Sequence, residues 1–221
     1  MVFVGRIEPK ARSDASGGVR LASAVPLCYG SPMNAILPIQ MTVDEFLRWS
    51  ERQEQGRYEL ENGRVIAMPA ESYGHVTAKD QVTDALKAAV RRAAVPYFVL
   101  PDGMAVLIDG KRSYEPDAIV AELPRPLSRS LAIANPTIVV EVLSSGTVRR
   151  DLTEKVVGYA KVPSIEHYLV IDPDERLVLH FRRRGDVLLP PEEPLNEGTL
   201  RLDPPGLEVP VADMLGPAPA A

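Results

Sequence analysis

The stretch TIVVEVLSS, Thr137 to Ser145, decides how this chain is read. Ile138, Val139 and Val140 precede an acid, Glu141, and Val142 and Leu143 follow it. An unbroken apolar run rich in β-branched residues predicts a strand buried on both faces. A carboxylate buried there without a partner costs several kcal/mol or takes up a proton. Glu141 therefore needs a partner, and the neighbouring segments supply candidates.

Upstream, YEPDAIVAE, from Tyr114, predicts the next strand. Asp117 follows Pro116 and opens the run Ala118-Ile119-Val120. Proline is tolerated at a strand start because its missing N–H falls outside the ladder. If the two strands pair, Asp117 and Glu141 reach one point. Like charges repel there, and a divalent cation with oxygen ligands relieves the repulsion. Downstream, Asp151 to Lys161 predicts a helix in which Asp151, Lys155 and Tyr159 recur every four residues and share a face. If that face meets the sheet at the acids, Lys155 stands beside the ion, where it would orient a water or stabilise a pentacovalent phosphorane. Arg149 and Arg150 flank the same place and would meet a phosphate backbone.

Each residue also has a plainer reading. Glu141 would be half of a buried ion pair with Lys155 or Arg150. Asp117 would be a turn residue at a strand entrance. Lys155 alone reads as a solvated helix lysine, and Tyr159 as a core residue with its hydroxyl at the edge. Ser144 reads as the residue that caps or turns the strand end. Glu59 reads as an exposed hairpin residue and His75 as a plain helix-start residue.

The rest of the chain frames this centre. Thr42 with Glu45 is a capping-box pattern, and a short amphipathic helix is expected from Thr42 to about Arg52. RYELENGRVIAMP, residues 57 to 69, places Asn62-Gly63 between two strand-like runs, the strongest short hairpin signal. Gly74 to about Ala94 predicts a long helix with Val76, Val82, Leu86 and Val90 on its apolar face. YFVL at 97 to 100, MAVLI at 104 to 108, HYLVID at 167 to 172 and RLVLHFRR at 176 to 183 predict further strands. Residues 1–40 read as a poorly structured extension, 41–190 as one domain, and 191–221 as a proline-rich acidic tail. The order predicts an α/β chain with a mixed central sheet flanked by helices.

Bulk properties narrow the function classes. The chain has 221 residues, 45% of them hydrophobic, and a net charge of -5, so it is long enough for a full core and is not a general nucleic-acid sponge. Its single cysteine, Cys28, makes no internal disulfide. The histidines do not cluster at zinc spacing. No apolar run reaches bilayer length and no secretory signal is evident, so a cytoplasmic protein with no membrane contact is expected.

The order P-D, E-V-L and a lysine on the next helix resembles the PD-(D/E)XK nuclease core, with Leu143 where that core carries its lysine and Lys155 as the migrated replacement. The chain is also similar to the Uma-two family of endonucleases, of restriction-endonuclease-like fold. It carries YELENG at 58–63, Met68-Pro69, His75, Pro116-Asp117, EVLS at 141–144, Asp151, Lys155, Tyr159 and YLVIDP at 168–173. The resemblance covers about residues 41–183. It implies a Mg (or Mn) dependent endonuclease acting on DNA, with Asp117, Glu141 and the Val142 carbonyl as metal ligands. It implies that Lys155 assists the attacking water, that Glu59 completes the acidic site, and that His75 sits at its rim. It also suggests a homodimer. The competing expectations are a nuclease-fold binding module that has lost cleavage, and a structural oligomer whose acids are ion-paired.

Overall fold

The computed structural model describes residues 36–144 and 146–217. The expected extension over 1–40 lies outside the described residues up to 35, and its last five residues form a strand, β1 (Ile36–Gln40). Thr42 caps α1 (Val43–Ser50) through the full capping box with Glu45. The hairpin β2 (Tyr58–Glu61) and β3 (Arg64–Ala67) turns at Asn62-Gly63, both with positive φ, as a two-residue hairpin loop requires. Ser72 caps α2 (Tyr73–Ala93) by accepting the His75 amide at 3.2 Å, and Ala94 ends it in the left-handed region.

The chain continues through β4 (Tyr97–Pro101), β5 (Ala105–Asp109), β6 (Arg112–Tyr114), β7 (Ala118–Glu122), β8 (Ala132–Ile133) and β9 (Pro136–Val142). Next come α3 (Val148–Leu152), α4 (Glu154–Ala160), β10 (His167–Asp172), β11 (Leu177–Arg184) and β12 (Val187–Leu189). It closes with β13 (Thr199–Leu202), β14 (Leu207–Pro210) and α5 (Val211–Leu215).

Among the described residues two six-stranded sheets form, ordered β1-β3-β2-β6-β5-β8 and β12-β11-β10-β9-β7-β4, with β13-β14 as a separate hairpin. The second sheet is mixed: β9 runs parallel to β10 and antiparallel to β7. A parallel pair needs a crossover, and α3 and α4 provide it. Every residue of β9 is buried. Ile138, Val140 and Val142 join the core under α2, α5 and the β13-β14 hairpin. Val139 and Leu143 join the core under α4 and the first sheet. Strand alternation puts Glu141 on this second side.

Besides β1, four features differ from the sequence expectation. YEPDAIVAE is not one strand: β6 and β7 belong to different sheets, and the chain crosses between them at Pro116, which cannot donate to a ladder. The helix expected from Asp151 is broken at Thr153 into α3 and α4, yet Asp151, Lys155 and Tyr159 all remain buried. Val76 is 48% exposed, because His75 and Lys79 take the inward side of the first turns of α2 and face Asp117. Finally, residues expected in a C-terminal tail are packed: Leu200, Leu202, Leu207, Val209, Val211 and Met214 are buried in the core of α2 and the second sheet.

Candidate functional site

The register Ala118↔Val140 brings the two predicted acids side by side at one end of the β7–β9 pair. The Asp117 amide donates to the Val140 carbonyl at 2.9 Å, and Asp117 Oδ2 accepts from the Val142 amide at 2.7 Å. Asp117 is thereby fixed to the backbone of the strand that carries Glu141. From this shared base the two carboxylates face different surroundings.

Glu141 faces a sealed cluster. Its Oε1 accepts from the Tyr159 hydroxyl at 2.6 Å, and its Oε2 lies 2.8 Å from Lys155 Nζ. Lys155 also reaches Glu59 Oε1 at 3.2 Å and Asp151 Oδ1 at 3.3 Å. Arg150 closes the group from α3: it pairs with Glu59 Oε2 and stands 5.5 Å over the Tyr114 ring. The Lys155 side chain is only 4% exposed. Three carboxylates thus meet two cations in a nearly dry setting. Burial pushes Glu141 well above the ordinary carboxylate range, with Asp151, Asp117 and Glu59 adding to the rise against the pull of Lys155. Burial also raises Asp151. Glu59 moves the other way: burial alone would raise it, but Lys155 and Arg150 outweigh that and lower it. Lys155 is held more firmly protonated than usual, because its three carboxylates outweigh its own burial.

Asp117 faces a more open cluster. Its Oδ1 lies 3.3 Å from Lys79 Nζ and 3.9 Å from His75 Nε2. Lys79 also contacts Glu71 Oε1 at 2.6 Å and pairs with Asp102. Arg57 lies across the same acids, 2.8 Å from each of Glu71, Asp102 and Glu115. Glu71 and Asp102 are 24% and 29% exposed at the side chain. Here four carboxylates oppose two permanent cations, a surplus of two negative charges with His75 neutral. His75 is raised, first by the Asp117 carboxylate it faces, against the effect of burial. Burial would raise Asp117, but His75, the Val142 amide and Lys79 together lower it.

The open cluster has the donor set of a cation site. Glu71, His75 and Asp117 each offer one ligand atom, all within 4.8 Å of one another. Two carboxylate oxygens and an imidazole nitrogen suit a divalent ion, and the surplus of two negative charges matches its charge.

Of the residues expected from sequence, Asp117, Glu141, Lys155, Glu59, Tyr159 and His75 converge on this region. Asp117 and Glu141 are neighbours, but the three gathered ligand atoms take Asp117 with Glu71 and His75, while Glu141 is engaged by Lys155 and Tyr159. The Val142 amide serves Asp117. Ser144 makes a turn, its amide 3.3 Å from Thr147 Oγ1 and its carbonyl accepting the Thr147 amide. Arg150 is drawn inward to Glu59, with Nε and Nη2 buried and without a partner among the described residues, and Arg149 is exposed. Glu71, Lys79, Asp102, Arg57 and Glu115 were not expected. A signal for the first two was present: Glu71, His75 and Lys79 repeat the every-fourth-residue spacing of Asp151, Lys155 and Tyr159.

The family description Uma2, Putative restriction endonuclease, matches residues 43–212, most of the chain. The chain belongs to the Uma2 family. The Uma2 match runs past β14, in agreement with the packing of the C-terminal hairpin onto the core. An uncharacterized protein of Synechocystis sp. is 26% identical over 148 residues, covering 66% of this chain and 82% of that protein. Among solved structures, the crystal structure of a putative nuclease belonging to DUF820, from Anabaena variabilis, is similar with a TM-score of 0.61 at 19% identity, covering 79% of this chain and 97% of that one. The mixed α/β fold of this Uma2 chain is thus one it shares with that protein. Among the described residues no helix is long and apolar enough to cross a membrane.

Proposed function

We propose that this protein is a divalent-metal-dependent endonuclease that hydrolyses phosphodiester bonds in DNA. The observation that carries the reading is the convergence of Glu71, His75 and Asp117 beside Glu141 and Lys155. A bound divalent ion would supply charge neutralisation on the phosphate and an activated water. The donor set fits such an ion, and Glu71, His75 and Asp117 are the residues that would hold it. The imidazole favours Mn²⁺ over Mg²⁺, because nitrogen ligands suit the transition metal better than the harder ion.

The chain's own groups have defined parts. The Val142 amide holds Asp117 in one orientation, so the carboxylate enters the site already positioned. Lys155 and Tyr159 fix Glu141, the second acid of the strand pair. Arg150 is held inward on Glu59 and steadies the acid cluster beside the site. Exposed Arg149 adds positive charge near the same turn.

One feature favours a second reading, a nuclease fold kept for binding without cleavage. Lys155 is enclosed by three carboxylates and almost fully buried. The two readings separate in one experiment. Mn²⁺ is titrated into the wild type, Glu71→Gln and Asp117→Asn, and each protein is then incubated with supercoiled, linear and single-stranded DNA. The nuclease reading expects metal binding and cleavage by the wild type, with both lost in Asp117→Asn. Metal binding without cleavage of any DNA form supports the binding module instead.

A further inference from the structure

Resting on the metal reading above, we propose that Lys79 is a tethered cation that occupies the ligand oxygens in the metal-free protein, and that Asp102 receives it when the ion enters. Lys79 thereby sets how readily the site loads.

The atoms themselves point this way. The candidate ligands are Glu71, His75 and Asp117. Lys79 Nζ lies 2.6 Å from Glu71 Oε1 and 3.3 Å from Asp117 Oδ1. Those same two oxygens face His75 Nε2 at 3.7 and 3.9 Å. The ammonium therefore sits on the oxygens that a divalent ion would need. An ion 2.0–2.6 Å from them would stand close to a like charge, so the two cations exclude one another from this spot.

Lysine is suited to such an exchange. Its charge is a compact head on a flexible four-carbon stem, and α2 fixes only the base of that stem. Asp102 already pairs with Nζ and is not among the three gathered ligand residues. A small rotation near the end of the side chain would keep the Asp102 pair while releasing Glu71 and Asp117. Arg57 Nη1 lies 2.8 Å from the same Glu71 Oε1 and Asp102 Oδ2, so the receiving carboxylate stays in place, and Asp117 Oδ1 is the ligand oxygen that Lys79 alone of the two covers. Lys155 has no comparable exit, since Glu59, Glu141 and Asp151 surround it and are themselves buried.

The test is Mn²⁺ binding by isothermal titration to the full chain, with no DNA present. Four proteins are compared: wild type, Lys79→Met, Asp102→Asn and the double variant. Circular dichroism and thermal unfolding check that each is folded. The proposal expects Lys79→Met to bind at least tenfold more tightly than the wild type. Asp102→Asn should bind at least threefold more weakly, because Lys79 then has nowhere else to go. In the Lys79→Met background the Asp102 change should alter affinity less than twofold, since it acts through Lys79. Equal or weaker binding by Lys79→Met overturns the proposal and leaves the metal reading standing. So does an Asp102→Asn loss of the same size in both backgrounds, which would make Asp102 a simple long-range charge. Failure of all four proteins to bind Mn²⁺ overturns the metal reading itself, and this proposal with it.

Discussion

Two lysines stand on either side of the β7–β9 strand end, each among three carboxylates. Lys155 meets Glu59, Glu141 and Asp151. Lys79 meets Glu71, Asp102 and Asp117. The chemistry is nearly the same, and the surroundings are not. All three partners of Lys155 are buried, whereas Glu71 and Asp102 remain partly open to water. A sealed cluster has to satisfy its charges internally, through protons, Tyr159 and Arg150. An open cluster can carry surplus charge and exchange one cation for another. Burial, rather than residue type, separates a structural ion-pair network from a candidate binding site.

The sharpest way to break this comparison is to neutralise each lysine in metal-free buffer. Lys155→Met leaves three buried carboxylates with one cation, and should destabilise the fold by about 3–5 kcal/mol in denaturant unfolding. Lys79→Met should cost less, about 1–3 kcal/mol, because two of its three partners, Glu71 and Asp102, are partly open to water and the pairing lies between the exposed and the fully buried case. Equal losses would mean that the open cluster is as structural as the sealed one.

The two glycines nearest these lysines give the next contrast. A Cβ on Gly158, in α4, would meet Tyr114 Cε2 at 2.5 Å. Gly158→Ala should therefore push the Tyr114 ring toward Arg150 and Lys155 and cost about 1–3 kcal/mol. Gly74, in the first turn of α2, has nothing among the described residues within 4 Å of such an atom. Gly74→Ala should stabilise the protein by about 0.5–1 kcal/mol through helix propensity. Thermal unfolding of the pair measures how tightly each side is packed.

The smallest effect is a difference in pH dependence, again without metal. Glu141 is raised above its ordinary value of 4.5, so its contribution is full below about that pH and is lost as pH climbs toward the folded value. Asp117 is lowered below its ordinary 3.8, so its contribution is present above that pH and is lost as pH falls through the folded value. Each slope is at most about 1.4 kcal/mol per pH unit. Glu141→Gln should flatten the decline on the rising side, and Asp117→Asn the decline on the acid side. Urea midpoints across pH 3 to 8 read both, and slopes of the same sign would refute the contrast.

Much of this arrangement is legible in the sequence. The apolar run of TIVVEVLSS determines a buried strand, and Asp117 and Glu141 mark two strand segments that bring them together once those strands pair. Asp151, Lys155 and Tyr159 share a face even though Thr153 breaks their helix. Thr42 with Glu45 and Asn62 with Gly63 set a helix start and a hairpin. These signals survive because they are local: a side chain's period, a cap or a turn constrains only its near neighbours in the chain.

Tertiary structure completed the open cluster around Asp117 and His75. Lys79 and Asp102 are 23 residues apart in the chain, and Arg57 and Glu115 are 58 apart. Pro116 sends the chain from one sheet to the other, which sets Glu115 and Asp117 at the corner between them. The C-terminal hairpin is a similar case, since its proline-rich sequence reads as a tail until Leu202 and Val209 find a core to enter. Sequence determined which acids lie on or at the ends of the strands. Only the folded packing decided which of them would be sealed with a lysine and which would stay open to a cation, because burial belongs to no residue by itself.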